Sequence, residues 1–176
     1  MNTAVAIIAM AAALNPARRV RELSNVEGPG PLMLGGLIAL AGYLATAAVA
    51  PSLLDGLDIS DPNAQIAAAF VVGIRALIEI FSQPKPEPLP RNPTLCVLWP
   101  VTFPALLRPE LTVLALAVGS ALGVGPVVIG ALIGLCATVA LHQRLPERTA
   151  RWLSAITIVI AITMVIDLLV DGILSV

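Results

Sequence analysis

The chain has 176 residues, of which 58% are hydrophobic and 12% are charged, and its net charge is −1. A soluble domain of this size needs a larger polar surface, so the composition excludes an ordinary globular protein and indicates helices in lipid. The near-neutral balance also excludes the strongly basic surface that is typical of nucleic-acid binding.

The first predicted element is an apolar helix from Thr3 to about Leu23, interrupted at Asn15 and Pro16. A signal peptide carries its positive charge before the apolar run, whereas here three arginines follow it. We therefore expect a retained first helix that is broken at the proline and whose N-terminus is exported. The three arginines are Arg18, Arg19 and Arg21.

Two further crossings are predicted over residues 31–50 and 62–81, joined by the polar loop 51–62. A crossing needs about 20 residues, and both segments have that length. Residues 82–94 follow and contain five prolines, which predicts a stiff, extended cytoplasmic linker. The linker divides the chain into two predicted three-helix halves, 1–81 and 95–176.

The second half is predicted to begin with a broken helix as well. Its first apolar segment, 95–122, is interrupted by Arg108, Pro109 and Glu110. Proline cannot donate the backbone hydrogen bond of a helix interior, so the break is expected at that point. Two more crossings are predicted over residues 126–141 and 152–172.

The positions of the charges predict how the six segments thread the membrane. Basic residues mark the cytoplasmic ends of membrane helices, and eight of the ten Lys and Arg residues fall in three short segments. The loop 51–62 has three aspartates and no basic residue. This pattern predicts six crossings with both termini outside. The eight basic residues are Arg18, Arg19, Arg21, Lys85, Arg91, Arg144, Arg148 and Arg151.

The two halves share features that indicate an internal repeat. Their proline breaks are 93 positions apart, and each half ends with a helix that carries two charged residues four apart. Three crossings per half insert the halves with opposite orientation, which is a layout of secondary transporters. We therefore predict an all-α membrane protein built from two inverted three-helix repeats. The charged pairs are Arg75 with Glu79, and Asp167 with Asp171.

Several stretches, taken in order, give a resemblance to a known family. They are residues 12–16 (AALNP), 53–60 (LLDGLDIS), 65–69 (QIAAA), 103–109 (FPALLRP) and 166–173 (IDLLVDGI). In this respect the chain resembles the MarC family of bacterial inner-membrane proteins. The family usually has small residues after its first Asn-Pro, a Gly-Pro-Gly second break and paired glycines opening its third helix. This chain has Arg18, Arg19, Arg108, Glu110 and three alanines there instead.

The resemblance implies a location and a class of function. Members of the family are described as transporters of small molecules or amino acids in the bacterial inner membrane, with no settled substrate. For this chain it therefore implies transport of a small solute, such as an amino acid or a related metabolite, without naming the ligand.

Depth in the bilayer singles out the residues expected to form a site. At about 1.5 Å per residue, Arg108 and its neighbours lie near the middle of their crossing. A charge facing lipid there costs at least about 2.5–3.5 kcal/mol, so it is expected to face the interior or water. Three interpretations stay open, namely a binding site, a structural ion pair, or a loop at 108–110. The expected site residues are Asn15, Pro16, Arg108, Pro109, Glu110 and Asp167, with Arg75 and Glu79 in support.

Pairings among these residues are also predicted. Arg108 is expected to pair with Asp167, which is the proposed proton-responsive group, because burial raises and a nearby arginine lowers the pKa of a carboxyl. Arg75 is expected to pair with Glu79, one helical turn away, or to extend its side chain to the inner membrane surface.

Transport of a small solute is the function that these features favour. The alternative is an accessory or structural subunit of a larger membrane complex, which the small size and the Ala- and Gly-rich helices also fit. The sequence shows no nucleophile–base pair, phosphate-binding loop or metal-ligand spacing, so no enzyme activity, cofactor or metal is expected. The expected partners are the lipid bilayer, a small-molecule substrate, and either further copies of the chain or a larger complex.

Overall fold

The computed structural model describes residues 2–86, 88–90, 92–142 and 144–175. Arg91, one of the basic residues assigned to the linker, lies outside these ranges. In the described part every regular element is helical. The elements are α1 (Thr3–Leu14), α2 (Pro16–Glu22), α3 (Gly30–Gly56), α4 (Asp61–Phe81), α5 (Pro93–Cys96), a proline segment (Val97–Leu106), α6 (Pro109–Leu122), α7 (Val124–Leu141) and α8 (Glu147–Leu174).

Both predicted proline breaks are confirmed. Helix α1 ends at Leu14, Asn15 adopts a left-handed backbone conformation, and α2 begins at Pro16. The second break lies at Arg108, which has an extended backbone, and α6 begins at Pro109. Proline disfavours a helical residue before it but fits the first position of a helix, so each proline ends one helix and starts the next.

The helices place apolar side chains outside and charges inside. α3, α4, α7 and α8 are each long and apolar enough to cross a membrane, and the proline segment with α6 forms a fifth candidate bent by 59°. Many large apolar side chains are exposed, including Leu37, Phe70 and Val159, whereas Arg19 is only 2% exposed. A soluble monomer rarely exposes so much apolar surface. The chain is therefore a multi-pass membrane protein with four or five candidate spanning helices.

Most of the close helix pairs join the two halves of the chain. α1 packs on α7, α3 on α6, and α4 on α8. The α1–α7 pair is close because Gly130 lies against Ile7 and Gly134 lies against Ala11. Small residues let helix backbones approach in lipid. Because both contacts advance in the same order along the two helices, α1 and α7 run in the same direction.

The α4–α8 pair has the opposite arrangement. Gly172, near the end of α8, lies against Pro62 at the start of α4, and Gly73 lies against Val165. The residue numbers rise along one helix as they fall along the other. α4 and α8 are therefore antiparallel, and the two halves share one core rather than folding as separate bodies.

Helix α3 runs beside both the proline segment and α6. Gly35 lies against Val101, and further along α3 Gly42 lies against Leu107. Ala47 then contacts Gly119 on α6. These contacts advance in the same order on both sides, so the proline segment and α6 continue in one direction along α3.

Replacing Gly119 by alanine is expected to lower the free energy of unfolding by about 1–3 kcal/mol, as overpacking does. The added Cβ would lie 2.5 Å from Ala47 Cα and 2.7 Å from the Ala47 carbonyl oxygen, so backbone must move. Unfolding in mixed micelles with increasing SDS fraction measures the change.

Gly125→Ala is the matched control, because it makes the same substitution within α7 where no atom lies within 4 Å of the added Cβ. Relief of glycine's backbone entropy is expected to leave this variant unchanged or more stable by about 0.5–1 kcal/mol. Equal stability of the two variants would contradict the close α3–α6 contact.

Candidate functional site

Four arginines converge on one buried carboxylate, that of Glu79 near the end of α4. Its side chain is 4% exposed, and Oε1 lies 2.5 Å from Arg19 Nη2 and 2.7 Å from Arg108 Nη1. Arg18 Nε and Arg75 Nε are 3.6 Å and 3.7 Å from the same oxygen. Glu79 therefore lies at the junction of the two broken segments and α4.

Asn15 brings the first helix break into this junction. Its Nδ2 donates to Glu79 Oε2 at 3.0 Å, and its Oδ1 accepts from the Arg18 backbone N–H at 3.4 Å. Asn is one of the few residue types that tolerate a left-handed backbone, and its side chain caps the following helix. The same residue thus shapes the break, caps α2 and holds Glu79.

Two arginines of α2 also bind the carboxyl ends of neighbouring helices. Arg18 Nη1 donates to the carbonyls of Glu79 and Ser82 at 2.8 Å and 3.0 Å, and Nη2 donates to Ser82 Oγ at 2.9 Å. Arg19 Nε donates to the Leu14 carbonyl at 3.2 Å. The last carbonyls of a helix have no partner within it, so these guanidinium groups satisfy the ends of α4 and α1.

The second helix break is held by Arg108 and Tyr43. Arg108 Nη2 forms an ion pair with Glu110 Oε1, which also lies 3.3 Å from Arg75 Nε. The Tyr43 hydroxyl donates to the Leu106 carbonyl at 2.6 Å and accepts from the Arg108 backbone N–H at 3.1 Å. Backbone groups freed where the helix breaks are therefore paired with the side chain of Tyr43 on α3.

We call these ionised groups together the arginine cluster. Arg18 and Arg19 also form ion pairs with Glu22 on their own helix. Four arginines against three glutamates leave an excess of one positive charge. Buried charges are tolerated only when paired and hydrogen-bonded, as most of these are. The cluster consists of Arg18, Arg19, Glu22, Arg75, Glu79, Arg108 and Glu110.

Two cavities meet at Glu79. A central cavity of about 10 Å³, room for about one water, lies between the two breaks. An open cleft of about 390 Å³ lies between α2, α4 and α8. Glu79 and Ile158 line both, so they form the wall between cleft and centre. The central cavity is lined by Ala12, Ala13, Asn15, Val72, Arg75, Ala76, Glu79, Glu110, Ile158 and Ala161.

No family model, no curated protein and no solved structure matches this chain. Within the described residues, no group of three or more His, Cys, Asp or Glu side chains is placed to hold a metal ion.

Most of the residues singled out from the sequence come together in the structure. Asn15, Arg75, Glu79, Arg108 and Glu110 meet in and around the arginine cluster, and each break proline starts the helix that follows it. The predicted pairing of Arg75 with Glu79 is confirmed at 3.7 Å. Of the open interpretations, a loop at residues 108–110 is wrong, because α6 begins directly at Pro109.

The predicted pairing of Arg108 with Asp167 is wrong. Arg108 binds Glu79 and Glu110 instead, and Asp167 is exposed on α8. The α8 residues that line the central cavity are Ile158 and Ala161, and Asp167 lies about 13 Å further along the helix axis than Ile158. The prediction failed because hydropathy fixes neither which face of α8 turns inward nor how far α8 is shifted along its axis against the helix breaks.

Arg18 and Arg19 were assigned to the cytoplasmic boundary, and their burial is a second correction. They are 5% and 2% exposed. After the break at Asn15, α2 packs against α7 and α8 rather than leaving the bundle, which carries both arginines inward. Their position directly after an Asn-Pro break was the signal in the sequence.

Glu22 and Tyr43 also belong to the site and were not predicted from the sequence. Tyr43 is the only tyrosine of the chain.

Proposed function

We propose that the protein is a carrier for a small solute and that the arginine cluster is its central gate. In this proposal it spans a bacterial inner membrane six times, as two inverted three-helix repeats with both termini outside, in the manner of the MarC family. The residues of the gate come from the breaks at Asn15 and Arg108, with Arg75 and Glu79 on α4.

The directions of the helices support an inverted repeat. α4 runs against α6, because Asp61 contacts Ser120 and Arg75 lies 3.3 Å from Glu110. α7 runs against α3, because Leu135 lies against Gly36 and His142 Nε2 lies 2.9 Å from the Val26 carbonyl before α3. α1 runs with α7, α6 runs with α3, and α8 runs against α4. The directions along the first half are therefore the reverse of those along the second, as an inverted repeat requires.

The course of the proline segment supports counting it with α6 as one bent crossing. A re-entrant loop would turn back along α3, whereas the contacts with Gly35, Gly42 and Ala47 advance continuously. α1 and α2 together cover residues 3–22, which is the length of a crossing although α1 has only 12 residues. Counting both broken segments gives six.

The position of Glu79 is the observation that carries the carrier proposal. It forms the wall between the cleft and the central cavity and is held by arginines from both broken segments. A residue bound by two separate breaks changes its contacts when either segment moves. That is the arrangement expected of a gate between repeats that rock against each other.

Accessibility of the central cavity tests the proposal. In a chain whose Cys96 and Cys136 are replaced by alanine, Ala161→Cys is expected to react with a membrane-impermeant maleimide added on either face, because a carrier opens its centre to each side in turn. Asp58→Cys is expected to react from the outer face alone and Lys85→Cys from the inner face alone. Oriented vesicles and mass spectrometry give the extent of labelling.

Two labelling outcomes would contradict different parts of the proposal. Reaction of Asp58→Cys and Lys85→Cys from the same face would overturn the predicted threading, whereas reaction of Ala161→Cys from a single face would overturn alternating access.

An accessory or structural subunit is the second candidate. The observation that favours it is the small centre, because a cavity of about 10 Å³ admits no solute in this arrangement. The cluster then acts only to lock the helices together. Such a subunit is expected to co-purify in fixed stoichiometry with a larger complex and to show one-sided labelling at position 161.

A further inference from the structure

We infer that the transported solute is a small carboxylate anion, and that the Glu79 carboxylate occupies the solute's binding site among the arginines in the closed arrangement. The inference rests on the proposed carrier function and names its substrate class. Glu79 then acts as an internal carboxylate that holds the site closed until an external carboxylate replaces it.

Guanidinium groups are in surplus around one oxygen of Glu79. Glu79 Oε1 is contacted by Arg19 and Arg108 within hydrogen-bond distance, and the cluster retains one positive charge after all its carboxylates are counted. Arginine binds carboxylates through paired, charge-assisted hydrogen bonds, which are among the strongest in proteins. The cluster is thus already arranged for a carboxylate and repels a cation.

The cleft that leads to this binding site carries basic and hydroxyl side chains. The cleft that ends at Glu79 carries Arg18, Arg21 and Arg151 on its walls, with the hydroxyls of Ser82 and Ser154 between them. Apart from Glu79, the charged side chains among these lining residues are basic, and Arg21 and Arg151 also pair with Glu147 at 3.7 Å and 3.1 Å. A cleft with mainly basic walls raises the local concentration of anions. The volume of about 390 Å³ falls at the lower end of the range of small-molecule sites.

Glu79 and a solute carboxylate cannot bind the same two arginines at once. Arg19 Nη2 and Arg108 Nη1 both point to the same Glu79 oxygen, at 2.5 Å and 2.7 Å. A solute carboxylate that takes these donors must displace Glu79, which already lines the cleft and can turn into it. Entry of the solute then separates α4 from the two broken segments and opens the centre.

The first experiment is chemical rescue in the purified full-length protein. Glu79→Ala removes the internal carboxylate and leaves the binding site among the arginines empty. Sodium acetate is expected to raise the Tm of this variant above its value in sodium chloride of equal ionic strength, with a saturable dependence on concentration. Glu27→Ala, which removes an exposed carboxylate, is the matched control and is expected to have the same Tm in both salts.

Equal effects of acetate and chloride on Glu79→Ala would overturn the inference. Sodium phosphate is the third arm, and stabilisation by phosphate without stabilisation by acetate would replace the carboxylate with a phosphate and overturn the class named here.

A second measurement keeps the inference testable if Glu79→Ala does not fold. In the chain that keeps Glu79 and has Cys96 and Cys136 replaced by alanine, acetate is expected to speed maleimide labelling of Ala161→Cys with a saturable dependence on concentration, because it displaces Glu79 and opens the centre around this buried position. Chloride is expected to give no saturable increase. Unchanged labelling rates in acetate would contradict occupation of the centre by a carboxylate.

The outcomes separate this inference from the proposed function. Two-sided labelling of Ala161→Cys without any effect of acetate leaves a carrier for another class of solute and overturns only the inference. Rescue by acetate together with one-sided labelling supports a carboxylate-binding site and overturns the proposed carrier function.

Discussion

Replacing Glu79 by glutamine is expected to lower the free energy of unfolding by about 3–5 kcal/mol, the range for breaking a buried ion pair. The substitution keeps the shape of the side chain and removes its charge. Arg19 and Arg108, which are 2% and 3% exposed, would then lose the carboxylate they share. Unfolding in mixed micelles with increasing SDS fraction measures the loss.

Glu147→Gln is the control for this change, because it removes the same charge from an exposed pair. The Glu147 side chain is 71% exposed and pairs with Arg151 at 3.1 Å. Exposed ion pairs contribute about 0–1 kcal/mol, so a small effect is expected. Comparable losses in the two variants would show that the buried position of Glu79 has no special effect on stability.

A second substitution tests whether the effect is electrostatic. Arg108 contacts Glu79 and Glu110 through its two terminal nitrogens, so Arg108→Gln removes one of the charges that Glu79→Gln leaves unpaired. The double variant is expected to lose less stability than the sum of the single losses, with a coupling energy of about 0.5–3 kcal/mol. Strict additivity would contradict direct pairing.

The breaks in the helices were predictable because they depend on local chemistry. A proline removes one helical hydrogen bond and disfavours a helical residue before it, and this located the end of α1 and the start of α6, although α3 continues through Pro51. The Arg75–Glu79 pair was predictable for a similar reason, since residues four apart on a helix are neighbours. Such statements need no knowledge of other helices.

The partners of the cluster depend on tertiary structure and could not be derived in this way. Hydropathy gives the depth of a residue in the membrane but not the face of the helix on which it lies. Asp167 and Glu79 stand near the ends of corresponding helices, and only the packing of α4 and α8 shows that one faces outward and the other inward. The chain also fills its centre asymmetrically, because α4 supplies charged groups and α8 supplies Ile158 and Ala161.

Arg18 and Arg19 show how one charge pattern can have two causes. Basic residues after an apolar run indicate a cytoplasmic end when the helix continues straight into water. Here the helix breaks first, and the next turn returns into the bundle, where the arginines bind Glu79 and the ends of α1 and α4. The difference is made at the break, where Asn15 adopts the left-handed conformation and Pro16 starts α2.

Asn15→Ala is therefore expected to destabilise the protein by about 2–5 kcal/mol. Alanine pays about 1–2 kcal/mol in the left-handed conformation that Asn15 adopts at φ 50°. Loss of the buried hydrogen bond to Glu79 adds about 1–3 kcal/mol. The same SDS titration measures the sum.

Asn15→Gly separates the two contributions. Glycine adopts the left-handed conformation without strain, so only the loss of the side-chain hydrogen bonds is expected to remain, about 1–3 kcal/mol. The predicted order of stability is the unchanged chain, then Asn15→Gly, then Asn15→Ala. If the two variants are equally stable, the backbone at position 15 is not held in the left-handed region. The path that turns α2 and its arginines into the centre would then need another cause.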